Sequence, residues 1–172
     1  MNTNTFTCKL ATAARDLDSV YKIRHECYLR NGSIDARPDA RFSDTVDDLP
    51  NHFSFLGCDR GAPLATVRVS VVRPDLGWNQ APSCKVFGDH PAFRRMQAGS
   101  FSEASRLCFG EQARRDVLFR LIAHLAAVAE VHGVRWLVSA VPDGAVGSRA
   151  GGSATPCRTV RADARGVAVR DG

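Results

Sequence analysis

The chain has 172 residues, 44% hydrophobic and 24% charged, with a formal net charge of +5. That is one domain's worth of sequence with enough apolar residues for a proper core, so the chain reads as soluble and globular. The basic residues are scattered, and no basic stripe interleaved with aromatics is present, which argues against nucleic-acid binding and leaves an acidic carrier protein or a phosphorylated cofactor as suitable partners.

The opening residues, MNTNTFTCKL, lack a basic flank followed by an apolar run, so no export signal is read and the chain is expected to be cytoplasmic. TFTCKLA predicts a first strand. ARDLDSVYKIRHECYLRNG predicts a helix of about four turns, with Asp16 or Asp18 near its N-cap and Gly32 past its end. On a wheel at about 100° per residue, Leu17, Val20, Tyr21, Cys27 and Tyr28 share one stripe and Arg24 falls at its centre. Such an arginine either snorkels past the helix edge or turns into a site with a carboxylate partner.

A long polar connection follows, NGSIDARPDARFSDTVDDLPN, with Pro38, Pro50 and many aspartates. Long ordered loops in compact domains are often functional. Its FSDTVDD segment is the nearest sequence supply of carboxylates for the arginines on either side.

HFSFLGCD and APLATVRVSVV alternate around a turn containing Gly61 and predict an antiparallel hairpin. Val67, Val69 and Val71 point one way, while Thr66, Arg68 and Ser70 point the other, which leaves Arg68 either solvated or functional. A short helix is expected near HPAFRRMQ. FSEASRLCF, residues 101–109, has the composition of a buried strand, yet it carries Glu103 and Arg106. Strict alternation puts these two on opposite faces, so they are either ion-pair partners of neighbouring strands or, with an intervening bulge, members of one site.

EQARRDVLFRLIAHLAAVAEVHG predicts a long helix ending at Gly133. It is apolar nearly all round and should therefore pack on a sheet. Its longest apolar run, LIAHLAAVA, is interrupted by His124 and is too short to span a bilayer, so no integral membrane association is expected. VRWLVSAV predicts a last strand. The order β-α-β-β-(α)-β-α-β is that of a mixed α/β sheet flanked by helices.

Beyond Val141 the sequence PDGAVGSRAGGSATPCRTVRADARGVAVRDG contains no Leu, Ile, Met or aromatic residue. It is expected to add no packed strand or amphipathic helix. The chain thus divides into a domain at 1–141 and a Gly/Ala/Arg-rich tail at 142–172, read as disordered or as the product of a frame shift in a GC-rich gene. Cysteines at 8, 27, 58, 84, 108 and 157 form no CxxC cluster, and the five histidines form no ligand-spaced pair. Reduced structural thiols and no metal are expected.

Taken together, IRHECY (Arg24, Tyr28), SDTVD (Asp44, Asp47), VRVS (Arg68) and EASR (Glu103, Arg106) resemble, in order and spacing, the acyl-homoserine-lactone synthases and the long-chain N-acyl amino acid synthases. Both are built on the GNAT-type acyltransferase fold. The resemblance covers residues 1 to about 140 and implies a GNAT-like α/β fold whose C-terminal part is incomplete. It implies no bound cofactor, and transfer of a fatty acyl group from acyl-carrier protein, or less often coenzyme A, to a small-molecule amine.

By the same resemblance, Arg24, Asp44, Asp47, Arg68 and Arg106 form a polar network, and Glu103 is the base. Arg114 and Arg115, in GEQARRD, meet the phosphopantetheine at a helix start. RLCFGEQA fits the glycine-rich loop of CoA-dependent relatives only loosely, which favours a carrier-protein donor. Ser33 and Ile34 stand where the lactone synthases usually carry a Trp, which favours an amino acid over S-adenosylmethionine as acceptor. A lactone synthase and an inactive carrier-binding remnant are the alternatives.

Overall fold

The computed structural model describes residues 6–76, 81–89, 91, 93–94, 99–111, 115–134, 136–141, 158–163 and 166–168. The chain divides into two compact units: Met1–Ser70 with Ser105–Val128, and Val71–Ala104 with Ala129–Gly172.

In the first unit β1 (Phe6–Leu10) lies antiparallel to β2 (His52–Asp59), pairing Phe6 with Asp59 and Leu10 with Phe55. Antiparallel to β2 runs β3 (Ala62–Val72), with His52 opposite Ser70, Ser54 opposite Arg68 and Leu56 opposite Thr66. The hairpin has the predicted limits. Its two-residue turn is Arg60–Gly61, at φ 48° and 81°, the φ signs of a type I′ turn, whose twist matches that of the strands.

Helix α1 (Ala14–Arg30) buries Val20 and Ile23 against Ala11, Leu56, Cys58 and Cys108, with Leu17, Tyr21, Cys27 and Tyr28 at the edge of that core. Its N-cap is Ala13, without a side-chain cap, and Asp16 lies in the first turn. At its other end Ser33 N–H reaches Tyr28 O at 2.8 Å and Gly32 N–H reaches Leu29 O at 3.0 Å, with Gly32 at φ 67°. This is a Schellman motif, which satisfies carbonyls that the helix end would otherwise orphan.

The connection 31–51 folds back along α1. Arg41 pairs with Asp18, Phe42 N–H donates to Tyr21 O at 3.0 Å, and Arg37 N–H donates to His25 Nε2 at 3.1 Å. The aspartates of this segment are thereby delivered to the helix that carries Arg24.

Helix α3 (Arg115–Val131) differs from its expectation. It buries the i, i+4, i+8 stripe Val117, Leu121 and Leu125, while Phe119 is 71% exposed and Ile122 and Val131 are exposed too. Only one face is covered, because three buried side chains four residues apart occupy a single helical stripe.

In the second unit Phe101–Ala104 of β4 (Phe101–Phe109) runs parallel to β5 (Trp136–Val141), with Glu103 opposite Val138. A parallel pair needs a long crossover, and α3 is the helix in that connection. The core here joins Val72, Ala81, Cys84, Phe93, Phe101 and Val138, with Trp136 against it. Helix α2 (Pro82–Phe87) opens on a proline. The short helix expected near HPAFRRMQ lies mostly outside the described residues.

Within the tail, β6 (Arg158–Asp163) pairs antiparallel with β5, and β7 (Gly166–Ala168) pairs antiparallel with β6. Composition predicts no strand there; these ladders are main-chain pairings, and the rest of the tail lies outside the described residues.

Leu121→Ala is expected to cost about 2–5 kcal/mol of unfolding free energy, as core truncations do. Phe119→Ala on the exposed face should stay within about 0.5 kcal/mol. Urea denaturation of the two variants checks the assignment of faces.

Candidate active site

Among the described residues, two arginines have no access to solvent. Arg24 and Arg68 are each 0% exposed, a burial that costs several kcal/mol per charge unless carboxylates and hydrogen bonds compensate it. Both alternatives that left them in solvent are therefore excluded.

The compensation comes from the loop. Arg24 Nη1 donates to both oxygens of Asp47, at 2.8 and 2.9 Å, and Arg24 Nη2 donates to Ser54 Oγ at 2.9 Å. Arg68 Nη1 reaches Asp44 Oδ1 at 2.6 Å and Asp47 Oδ1 at 3.2 Å, while its Nε donates to Ser105 Oγ at 3.2 Å. Asp47 Oδ2 also accepts the Asp44 backbone N–H at 3.0 Å. The two aspartates are fixed to each other as well as to the arginines.

Arg106 completes the chain of charges. Its Nη2 and Nε reach Asp44 Oδ2 at 2.6 and 3.2 Å, and Nη1 donates to Tyr28 Oη at 3.3 Å. The guanidinium also lies 5.6 Å from the Tyr28 ring centroid and 5.2 Å from that of Phe42, within cation–π range. Its backbone is at φ 54°, a left-handed conformation uncommon for a residue with a Cβ. Strict alternation along β4 therefore does not hold at Arg106.

The network polarises its members. Burial pushes the Asp44 carboxyl up, but hydrogen bonds and charge from Arg68 and then Arg106 outweigh it and hold the group at about 2, against an ordinary 3.8. His52, whose Nδ1 lies 2.5 Å from Ser70 Oγ, is brought from 6.5 to about 4, first by burial and then by the Arg68 charge. His52 is thus neutral near pH 7. Three buried nitrogens here have no hydrogen-bond partner among the described residues: Arg24 Nε, Arg68 Nη2 and His52 Nε2.

Glu103 is held in the other unit, where it is 1% exposed. Its Oε2 accepts both the backbone N–H of Ser83, at 3.0 Å, and the Ser83 hydroxyl, at 2.5 Å. The neighbouring Cys84 thiol is pushed up to about 12, by burial and then by the Glu103 charge, so it is neutral and a poor nucleophile.

Of the predicted site residues, Arg24, Asp44, Asp47, Arg68 and Arg106 come together, and Glu103 is anchored separately to Ser83. Arg114 lies outside the described residues, and Arg115 is described only as the first residue of α3. Sequence reasoning missed Ser54, Ser105, His52, Ser70 and Ser83. Alternation already puts Ser70 on the Arg68 face, and hairpin register would have added His52 and Ser54, which lie opposite Ser70 and Arg68; nothing local in the sequence marks Ser105 or Ser83.

A family profile described as N-acyl amino acid synthase FeeM matches residues 19–147. The chain belongs to the N-acyl amino acid synthase FeeM family. Within the solved structures it is similar to FeeM, an N-acyl amino acid synthase from uncultured soil microbes, at TM-score 0.66 and 13% identity over 82% of this chain and 74% of that one. The acyl-homoserine-lactone synthase LasI gives TM-score 0.61 and 12% identity over 82% and 74%. A GCN5-related N-acetyltransferase from Ralstonia eutropha gives 0.53 and 19% over 88% and 97%. No curated protein sequence matches. The fold is accordingly the mixed α/β fold of the GNAT acyltransferases, and the chain is a member of an N-acyltransferase family.

Removing one partner from a buried ion pair leaves the other charge uncompensated. Arg24→Ala and Asp47→Ala are each expected to lose about 3–5 kcal/mol, with less than additive loss in the double variant, as read from chemical unfolding.

Stability should also fall on acidification in two windows. Both His52 and Asp44 have folded-state values below their ordinary ones, so each contributes stability present above the unfolded value and lost as pH falls toward the folded one. The windows are pH 6.5 to about 4 for His52 and 3.8 to about 2 for Asp44. In unfolding titrations His52→Phe should flatten the first slope and Asp44→Asn should reduce the second.

Proposed function

We propose that this protein transfers a fatty acyl group from the phosphopantetheine thioester of an acyl-carrier protein to the amine of an amino acid. The observation that carries the reading is the buried network Arg24–Asp47–Arg68–Asp44–Arg106 in a member of the FeeM family. A chain needing only a core would fill these positions with apolar side chains at no loss of stability.

In this mechanism Glu103 is the general base. The acceptor enters as an ammonium, and Glu103 takes one proton directly or through a water, since only the free amine carries a lone pair. The nitrogen attacks the thioester carbonyl, the N–C bond forms, the C–S bond breaks, and the pantetheine sulfur leaves with the electron pair and takes up the second proton, which the nitrogen sheds as it becomes an amide.

The network orients the acceptor. Arg106, the network arginine that keeps solvent access, suits an acceptor that brings a carboxylate, which supports an amino acid over a simple amine. Asp44, held anionic, keeps Arg68 and Arg106 in place. Donor recognition is assigned to the start of α3, with Arg114 and Arg115 as phosphate contacts, and the net charge of +5 suits an acidic carrier protein.

The test is Glu103→Gln. It should leave the melting temperature within a few degrees and reduce turnover by roughly 10²-fold or more, the range of a lost general base. Mass spectrometry of lipids from cells expressing the parent should find N-acyl amino acids. Acyl-homoserine lactones would instead mark S-adenosylmethionine as acceptor, and carrier binding without any product would mark a binding remnant.

A further inference from the structure

Helix α2 begins without a cap of its own. Its N-cap position is Ala81, which makes no side-chain capping bond, and the next residue is Pro82, which has no N–H to give. The first backbone donor at that end is therefore Ser83, and helix-end donors need a partner from outside the helix. Glu103, twenty residues further on in β4, supplies it.

A Ser or Asp at position 81 would cap the helix locally and without a buried charge. A carboxylate that is 1% exposed is a costly substitute. Ser83 moreover gives the same Glu103 oxygen a second hydrogen bond, from its hydroxyl at 2.5 Å, which helix capping does not require. Two donors on one oxygen fix the position and rotation of the carboxylate plane, which a lone N–H does not.

The geometry points to Ser83 as a positioning residue for the Glu103 base: its hydroxyl and N–H clamp Oε2 so that the carboxylate is already oriented when the acceptor ammonium arrives. This rests on the reading of Glu103 as the base in acyl transfer. Held geometry of this kind lowers the barrier to the chemical step without contributing to substrate affinity, so its loss should appear in kcat and leave KM nearly unchanged.

The experiment is a cycle of Ser83→Ala and Glu103→Gln, assayed with an acyl-carrier-protein thioester and an amino acid, with thermal unfolding of each variant. Ser83→Ala should lower kcat by about tenfold, the worth of one hydrogen bond to a charged group, with KM within about twofold. In the Glu103→Gln background the same change should cost less than about twofold, because the clamp then has no base to hold.

Ser83→Cys, nearly isosteric and a weaker donor, should fall between parent and Ser83→Ala. An equal loss in both backgrounds, an unchanged kcat in Ser83→Ala, or a Cys variant no better than the Ala variant overturns the proposal. A Glu103→Gln enzyme as active as the parent overturns the base assignment itself and this inference with it.

Discussion

Asp47 is the group on which the rest of the first unit depends. One of its oxygens accepts from both fully buried arginines, Arg24 and Arg68, and the other accepts from Arg24 and from the Asp44 main chain. Without it, two guanidiniums would sit in a low-dielectric core with too few partners, and the packing of α1 on the β2–β3 hairpin would lose several kcal/mol. The order of the loop 31–51 follows from this requirement. A segment rich in aspartate would ordinarily stay solvated; here it docks, because the helix and hairpin hold the charges that Asp44 and Asp47 neutralise.

This arrangement reverses the usual division of labour between core and loop. The apolar cluster around Val20, Ile23 and Leu56 supplies the driving force for collapse, but it is non-directional and would tolerate α1 at several rotations. The grip on the Arg24 guanidinium, from Asp47 on Nη1 and Ser54 on Nη2, is directional. Burying the arginines therefore contributes little net stability but selects a single register of α1 against the sheet, and with it the placement of Tyr28 beside Arg106.

Much of this was legible in the sequence, for a physical reason: a charge on an apolar stripe is an anomaly that periodicity exposes. Arg24 stood at the centre of the α1 stripe, Arg68 on the face of β3 opposite the valines, and FSDTVDD was the nearest source of carboxylates. The hairpin limits were readable because alternation and a Gly-containing turn are local signals. What was not legible is equally specific. The left-handed backbone at Arg106 breaks a period-2 rule that assumes extended residues throughout. The exposed face of α3 could not be told from its covered face, because both are apolar. Ser83 looked like any helix-start serine, since its partner lies twenty residues away and only the fold brings them together.

The backbone of Arg106 has one more consequence, for how this position can change over time. Among the genetically encoded residues, glycine would relax the positive φ, and it would abandon both Asp44 and the two aromatic rings. Lysine would keep a charge, but as a single rotatable ammonium it could not span the Nε–Nη2 grip on one oxygen while also reaching the tyrosine hydroxyl. Glycine therefore gains the conformation and loses the contacts, and lysine gains no conformation while losing most of the contacts. The kink in β4 is a point at which drift is blocked from two directions, and compensation would have to begin elsewhere, at Asp44 or Tyr28, before residue 106 could move.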